Sequence, residues 1–157
     1  MTASARLAEL GITLPNVATP VGAYVPALSH GDLVYTSGQL PMVDGSLVAT
    51  GLVGDGAGQV SPSRAAECAE IAILNALAAV ADVAGGIDQI TQIVKITGFV
   101  AAPATFTGHP AIINGASNLI GEIFGDRGQH VRSAVGVASL PLGAPVEIEL
   151  VAQVHQA

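Results

Sequence analysis

The sequence predicts an α+β fold in the order ββαβαββ, on three observations. Two segments repeat apolar residues at helical spacing, several others alternate at period 2, and glycine or proline marks most junctions. Residues 4–10 have room for a turn or two of helix closed by Gly11. Pro15 and Pro20 give an extended approach to a first strand at 24–28. His30-Gly31-Asp32 reads as a turn into a second strand at 33–37, which makes a hairpin. Residues 43–60 form a glycine-rich passage with room for one short strand. Ser61-Pro62 joins an N-cap serine to a proline at the first helical position. The helix they open runs to about Ala84 and stops at Gly85-Gly86, with Ala66, Ala69, Ile73, Leu77, Val80 and Ala84 as its apolar stripe. Residues 92–101 alternate again, with Val94, Ile96 and Val100 on one side. A second helix over 110–124 carries Ile113, Ala116, Ile120 and Phe124, flanked by Ile112, Leu119 and Ile123, and ends at Gly125. Two helices suffice to cover one face of the sheet and leave the other bare.

A chain of 157 residues is expected to form one domain and to bury roughly 70% of its unfolded surface, enough to fold without a disulfide or metal. Half of its residues are apolar and only 11% are charged. So few charges over so much apolar surface point to homo-oligomerisation. Five Lys and Arg stand against twelve Asp and Glu, a formal net charge of −7. Nucleic-acid affinity draws on neutralised phosphates, so a broad RNA-binding surface is disfavoured and only a local basic pocket is expected. Cys68 is alone, and His30, His109, His130 and His155 lack metal-ligand spacing, so no metal site is expected. Cys68 sits between Glu67 and Glu70 on the first long helix, which disfavours a thiolate. Neither a signal peptide nor a membrane span is expected, and a cytoplasmic location fits.

The most informative stretch is 130–150. Val131, Ser133, Val135 and Val137 alternate with Arg132, Ala134, Gly136 and Ala138, and Val146, Ile148 and Leu150 alternate with Glu147 and Glu149. If the chain reverses near Leu140-Pro141, the two strands pair antiparallel. Arg132, Ala134, Glu147 and Glu149 then share the bare face, because opposed residues point the same way. A guanidinium among small side chains leaves room for a planar anion. The alternative is an ion pair with Glu147 or Glu149, since a buried guanidinium with no partner is costly.

Four blocks carry a family resemblance over about residues 20–154. They are Gly22-Ala23-Tyr24-Val25-Pro26, Thr36-Ser37-Gly38-Gln39-Leu40-Pro41, Asn114, and Arg132-Ser133-x-Val135-x-Val137-Ala138-x-Leu140-Pro141 followed by Val146-Glu147-Ile148-Glu149. In this order they resemble the Rid family (YjgF, also called endoribonuclease L-PSP). The resemblance implies a chorismate-mutase-like α+β fold, assembled as a homotrimer with ligand clefts between subunits. It further implies hydrolytic deamination of reactive 2-enamine or 2-imine acids to 2-keto acids and ammonia, with no cofactor. Arg132 would fork onto the substrate carboxylate and Glu147 would position the attacking water. Tyr24, Ser37 and Asn114 would line the cleft, and the backbone carbonyl of Ala134 could hold water.

The chain departs from the better-known deaminases of that family. Ser117 stands where an aromatic usually follows the asparagine, and Ala134 where cysteine is common. The N-terminus (residues 1–20) is longer, and the passage Gly51–Gly58 is extra. That passage lacks the Gly-Lys-Ser/Thr ending of a phosphate loop. His130, two residues before Arg132, falls on the same strand face if the strand begins there, and is otherwise a loop histidine. Two other functions stay open: a non-catalytic trimer binding small carboxylates, and the endoribonuclease or translation-inhibitor role after which part of the family is called.

Overall fold

A computed structural model describes residues 1–155 of the chain. Helix α1 (Ala3–Glu9) is capped by the Thr2 hydroxyl, which accepts from the Ala5 amide at 3.2 Å. Strands β1 (Ala27–His30) and β2 (Leu33–Thr36) form the expected hairpin. The first strand begins after Tyr24, because Pro26 has no amide to give to a ladder; Tyr24 therefore lies in the bend that precedes it. The glycine-rich passage holds two short strands, β3 (Met42–Val43) and β4 (Ser46–Leu47), turned at Asp44-Gly45, both at positive φ. This is the hairpin turn that Asp-Gly favours.

Helix α2 (Pro62–Ala84) starts and stops where its caps require. The Ser61 hydroxyl accepts from the Arg64 amide at 3.2 Å, Pro62 opens the first turn, and Gly85 ends it at φ 83°. Its buried surface is wider than one stripe and includes Ala65, Cys68, Ala72, Asn75, Ala76 and Ala79. The alanines let α3 (His109–Phe124) approach it closely. A Cβ at Gly115 would overlap the Ala66 carbonyl oxygen and lie 3.0 Å from that carbonyl carbon.

The main sheet runs β1-β2-β7-β5-β6, with β5 (Ile90–Ala101), β6 (Val131–Val137) and β7 (Val146–Val154). Strand β7 is antiparallel to β5 and β6 is parallel to it. The β5–β7 register shifts between Ile93 and Lys95, so Ile93 and Ile96 are both buried while Val94 is only half-buried. Such a bulge breaks the simple alternation that put Val94 beside Ile96.

The last two strands do not form a hairpin. Both pair with β5, on opposite sides, and the 138–145 connection passes across its end. Arg132 sits beside Ile96, whose other neighbour is Leu150; these two are buried under the helices. Glu149 sits beside Thr97 and Glu147 beside Phe99, on the opposite face. The expectation that Arg132, Ala134, Glu147 and Glu149 share the bare face is thus overturned. Arg132 and Ala134 face the helices; Glu147 and Glu149 face away.

The physical reason is space. Under α3 a Cβ at Gly98 would lie 2.5 Å from Ile113, and one at Gly136 would overlap the His109 ring. Only small residues fit there, so β6 turns Ala134 and Gly136 inward and its valines outward, leaving Val131 65% exposed. The bare face carries an apolar row in register, Leu28, Tyr35, Val151 and Val131, interrupted by Lys95. No helix among the described residues is long and apolar enough to cross a membrane.

Candidate functional site

Arg132 reaches off the edge strand onto α3. Pro110, Asn114 and Ser117 lie at i, i+4 and i+7, one ridge of that helix, and the guanidinium lies along it. Nη1 donates to Asn114 Oδ1 at 2.8 Å and to Ser117 Oγ at 3.2 Å, and Nη2 donates to the Pro110 carbonyl at 3.4 Å. Among the described residues the ion pairs are Arg6–Glu9 and Arg64–Glu67, so the half-buried Arg132 is met only by neutral groups. Among the described residues its Nε and one Nη2 hydrogen have no partner. That edge is the fork that matches a carboxylate bidentately.

The ridge continues into a second hydrogen-bonded pair. Ser117 Oγ lies 2.9 Å from His130 Nε2, and His130 Nδ1 lies 2.6 Å from the Gly128 carbonyl oxygen. A carbonyl can only accept, so Nδ1 carries hydrogen and the ring tautomer is fixed. In the neutral ring Nε2 is the acceptor and Ser117 its donor. Sequence reasoning reached Arg132 and Asn114 but did not join them to Ser117 and His130. The i, i+4, i+7 spacing was the available signal; the 125–128 turn that returns His130 to Ser117 was not readable from periodicity.

The other expected site residues gather elsewhere, around Gly38. Glu147 packs on Gly38 so closely that a Cβ there would overlap its carboxyl. Burial, and then the neighbouring Glu149, push the Glu147 carboxyl above the ordinary glutamate range. Ser37 donates its hydroxyl to the Val25 carbonyl at 2.6 Å, and the half-exposed Tyr24 hydroxyl accepts from the Val21 amide at 3.3 Å. Tyr24, Gly38 and Gln39 line a hollow of about 30 Å³, large enough for a water. Ala134 lies on the helix side beside Gly98, two residues from Arg132.

The structure therefore divides the expected site into two half-sites. Arg132, Asn114 and Ala134 stand at the α3–β6 edge, while Tyr24, Ser37 and Glu147 stand by the Gly38 loop, with β5 between β6 and β7. A larger cavity of about 1010 Å³ lies between residues 13–21, α2 and the β3–β4 turn. Its single charged lining residue is Asp44, which suits it poorly to an anion. Cys68 is buried, and that burial raises its thiol, which fits packing rather than nucleophilic chemistry.

Comparison with known proteins agrees with this architecture. The model of the family described as "YjgF/chorismate mutase-like, putative endoribonuclease" matches residues 4–154. Protein TCP17 of Trypanosoma cruzi is 35% identical over 97% of this chain and 94% of its own length. The crystal structure of Atu1372 from Agrobacterium tumefaciens is 44% identical, covering 98% of this chain and 92% of that one, with a TM-score of 0.87. The structure of Escherichia coli TdcF with bound serine is 27% identical over 90% of this chain and 94% of that one, with a TM-score of 0.61. The chain belongs to the YjgF/chorismate mutase-like family.

Proposed function

We propose that this protein binds small 2-imino or 2-keto acids and hydrolyses reactive 2-imine or 2-enamine acids to the keto acid and ammonia. The observation that carries this reading is Arg132: a half-buried guanidinium, positioned by Asn114 and Ser117, that among the described residues leaves a two-hydrogen edge free and has no carboxylate partner. A small carboxylate completes it. The serine bound to TdcF, a relative, is a small molecule that bears a carboxylate. Glu147, with its raised carboxyl, suits water positioning. Within one chain the two half-sites lie on opposite faces of the sheet, so the reading includes a homotrimer whose clefts join Arg132 of one subunit to the Gly38 loop of another. The apolar row on the bare sheet face favours such association. Endoribonuclease action is less favoured: Arg6 and Arg64 are ion-paired, and Arg127 stacks 5.8 Å from Phe124 while donating to the Ile90 carbonyl.

The test is ammonia release from 2-iminopropanoate, generated in place by an amino-acid oxidase, with wild type and Arg132→Ala. Acceleration by wild type that the variant loses is expected. No acceleration, with pyruvate still raising the melting temperature, would leave a carboxylate-binding protein instead.

A further inference from the structure

We infer that the cavity beneath residues 13–21 is a second ligand site, built for a small, mainly apolar amine. Neither Arg132 nor Glu147 lines it, and it needs nothing from the deaminase reading.

The cavity measures about 1010 Å³, the size of the largest small-molecule pockets. Its floor is one ridge of α2, formed by Ile71, Leu74 and Asn75 at i, i+3 and i+4. Its outer wall is the strap 13–21. Thr13, Asn16 and Thr19 are exposed while the residues between them are half-buried, and Leu14 and Val17 pack inward against the core. Among the described residues no backbone–backbone hydrogen bond joins 13–21 to another element, and the Val21 amide bonds the Tyr24 hydroxyl. A wall held mainly by side-chain packing yields to an entering molecule without breaking a ladder.

Asn75 supplies the polar anchor. It is 2% exposed, in the middle of a helix that asparagine does not favour. Its Nδ2 donates both hydrogens, to the Leu40 and Met42 carbonyls, each at 3.0 Å. Carbonyls only accept, so the amide orientation is fixed and Oδ1 is left over. Among the described residues that oxygen takes no hydrogen bond, yet no fully enclosed side-chain nitrogen or oxygen lacks a partner. Oδ1 is therefore open to the space that Asn75 lines, which is the cavity. An acceptor set in an apolar wall calls for a donor.

Asp44 sets the sign of the charge. It is the single charged residue of the lining, and it follows closely on the Met42 carbonyl that Asn75 grips. Its carboxylate and the Asn75 oxygen thus border the same end of the cavity. The apolar walls suit hydrocarbon, and the two acceptors with one negative charge suit an ammonium and its N–H donors. An anion of the same shape would be repelled by Asp44.

The test titrates 2-phenylethylamine, whose only donors are on its ammonium, followed by calorimetry and backbone amide NMR. Saturable binding with a dissociation constant of about 1 mM or tighter is expected, with shifts centred on 13–21, 42–45, Leu74 and Asn75. Phenylacetate, the same body with the opposite charge, should bind about tenfold more weakly or worse. Trimethyl(2-phenylethyl)ammonium keeps the charge and loses the donors, and should bind about fivefold more weakly. Asp44→Asn, at a positive-φ turn position that asparagine tolerates, should cost the amine about fivefold. Leu74→Trp, which fills the cavity, should abolish binding. No saturable binding, equal binding of phenylacetate, or shifts centred on β6 and α3 would overturn the site. So would binding that survives both substitutions undiminished. Equal binding of the quaternary ammonium would overturn Asn75 as the anchor.

Discussion

Replacing Gly115 by alanine pits helix propensity against packing, and the structure says which wins. In an open helix the change would stabilise by about 1 kcal/mol, because alanine loses less backbone freedom. Here the new methyl would overlap the Ala66 carbonyl oxygen and lie 3.0 Å and 3.3 Å from its C and Cα. Carbon atoms rest at about 3.5–4.0 Å, and every atom in the way is backbone of α2, so no side chain can yield. The helices must separate, and overpacking of this kind costs about 1–3 kcal/mol, occasionally more. Gly121, exposed on the same helix with nothing within 4 Å of its Cβ position, supplies the control. Measured by thermal and urea unfolding, Gly121→Ala should be neutral or stabilising. Gly115→Ala should fall below it by roughly 1–3 kcal/mol, the clash alone, since both variants share the propensity gain. At this chain length that is on the order of 2–12 °C in Tm. Asn114 and Ser117 ride on the displaced helix, so pyruvate affinity should fall only in Gly115→Ala. Equal stability of the two variants would refute the close α2–α3 contact that sets the height of α3 over β6.

Asn114→Asp would place a carboxylate where Oδ1 now lies 2.8 Å from Arg132 Nη1. The internal ion pair would compete with a ligand anion, and pyruvate affinity, read by calorimetry, should drop about tenfold or more; unchanged affinity would exclude Arg132 as the anion's partner. Glu147→Gln should stabilise the protein in a pH-dependent way. The folded carboxyl is held above its ordinary value, so the fold favours the protonated form, and wild-type stability falls as pH rises from about 4.3 through the raised value. The variant's Tm advantage should therefore grow across that window and level off above it; an advantage that does not vary with pH would show that the carboxyl is not desolvated.

What the sequence determined by itself is local. Ser61-Pro62 and Gly85 mark the ends of α2, Gly125 ends α3, and the periodicity of 131–137 and 146–150 makes both segments strands, because caps and alternation depend only on neighbours along the chain. The family's motif residues were legible for the same reason, as short ordered blocks. Strand pairing was not, since alternation separates two faces without saying which is covered. Only the tertiary structure decided that β6 and β7 flank β5, which sends Arg132 toward α3 and Glu147 to the far side of the sheet. It also decided the arginine's company. Ser117 and His130 are 13 residues apart and carry no mutual signal in sequence; the α3 ridge and the turn after it make them neighbours, because the space under α3 admits only glycine and alanine and brings the helix down onto the strand.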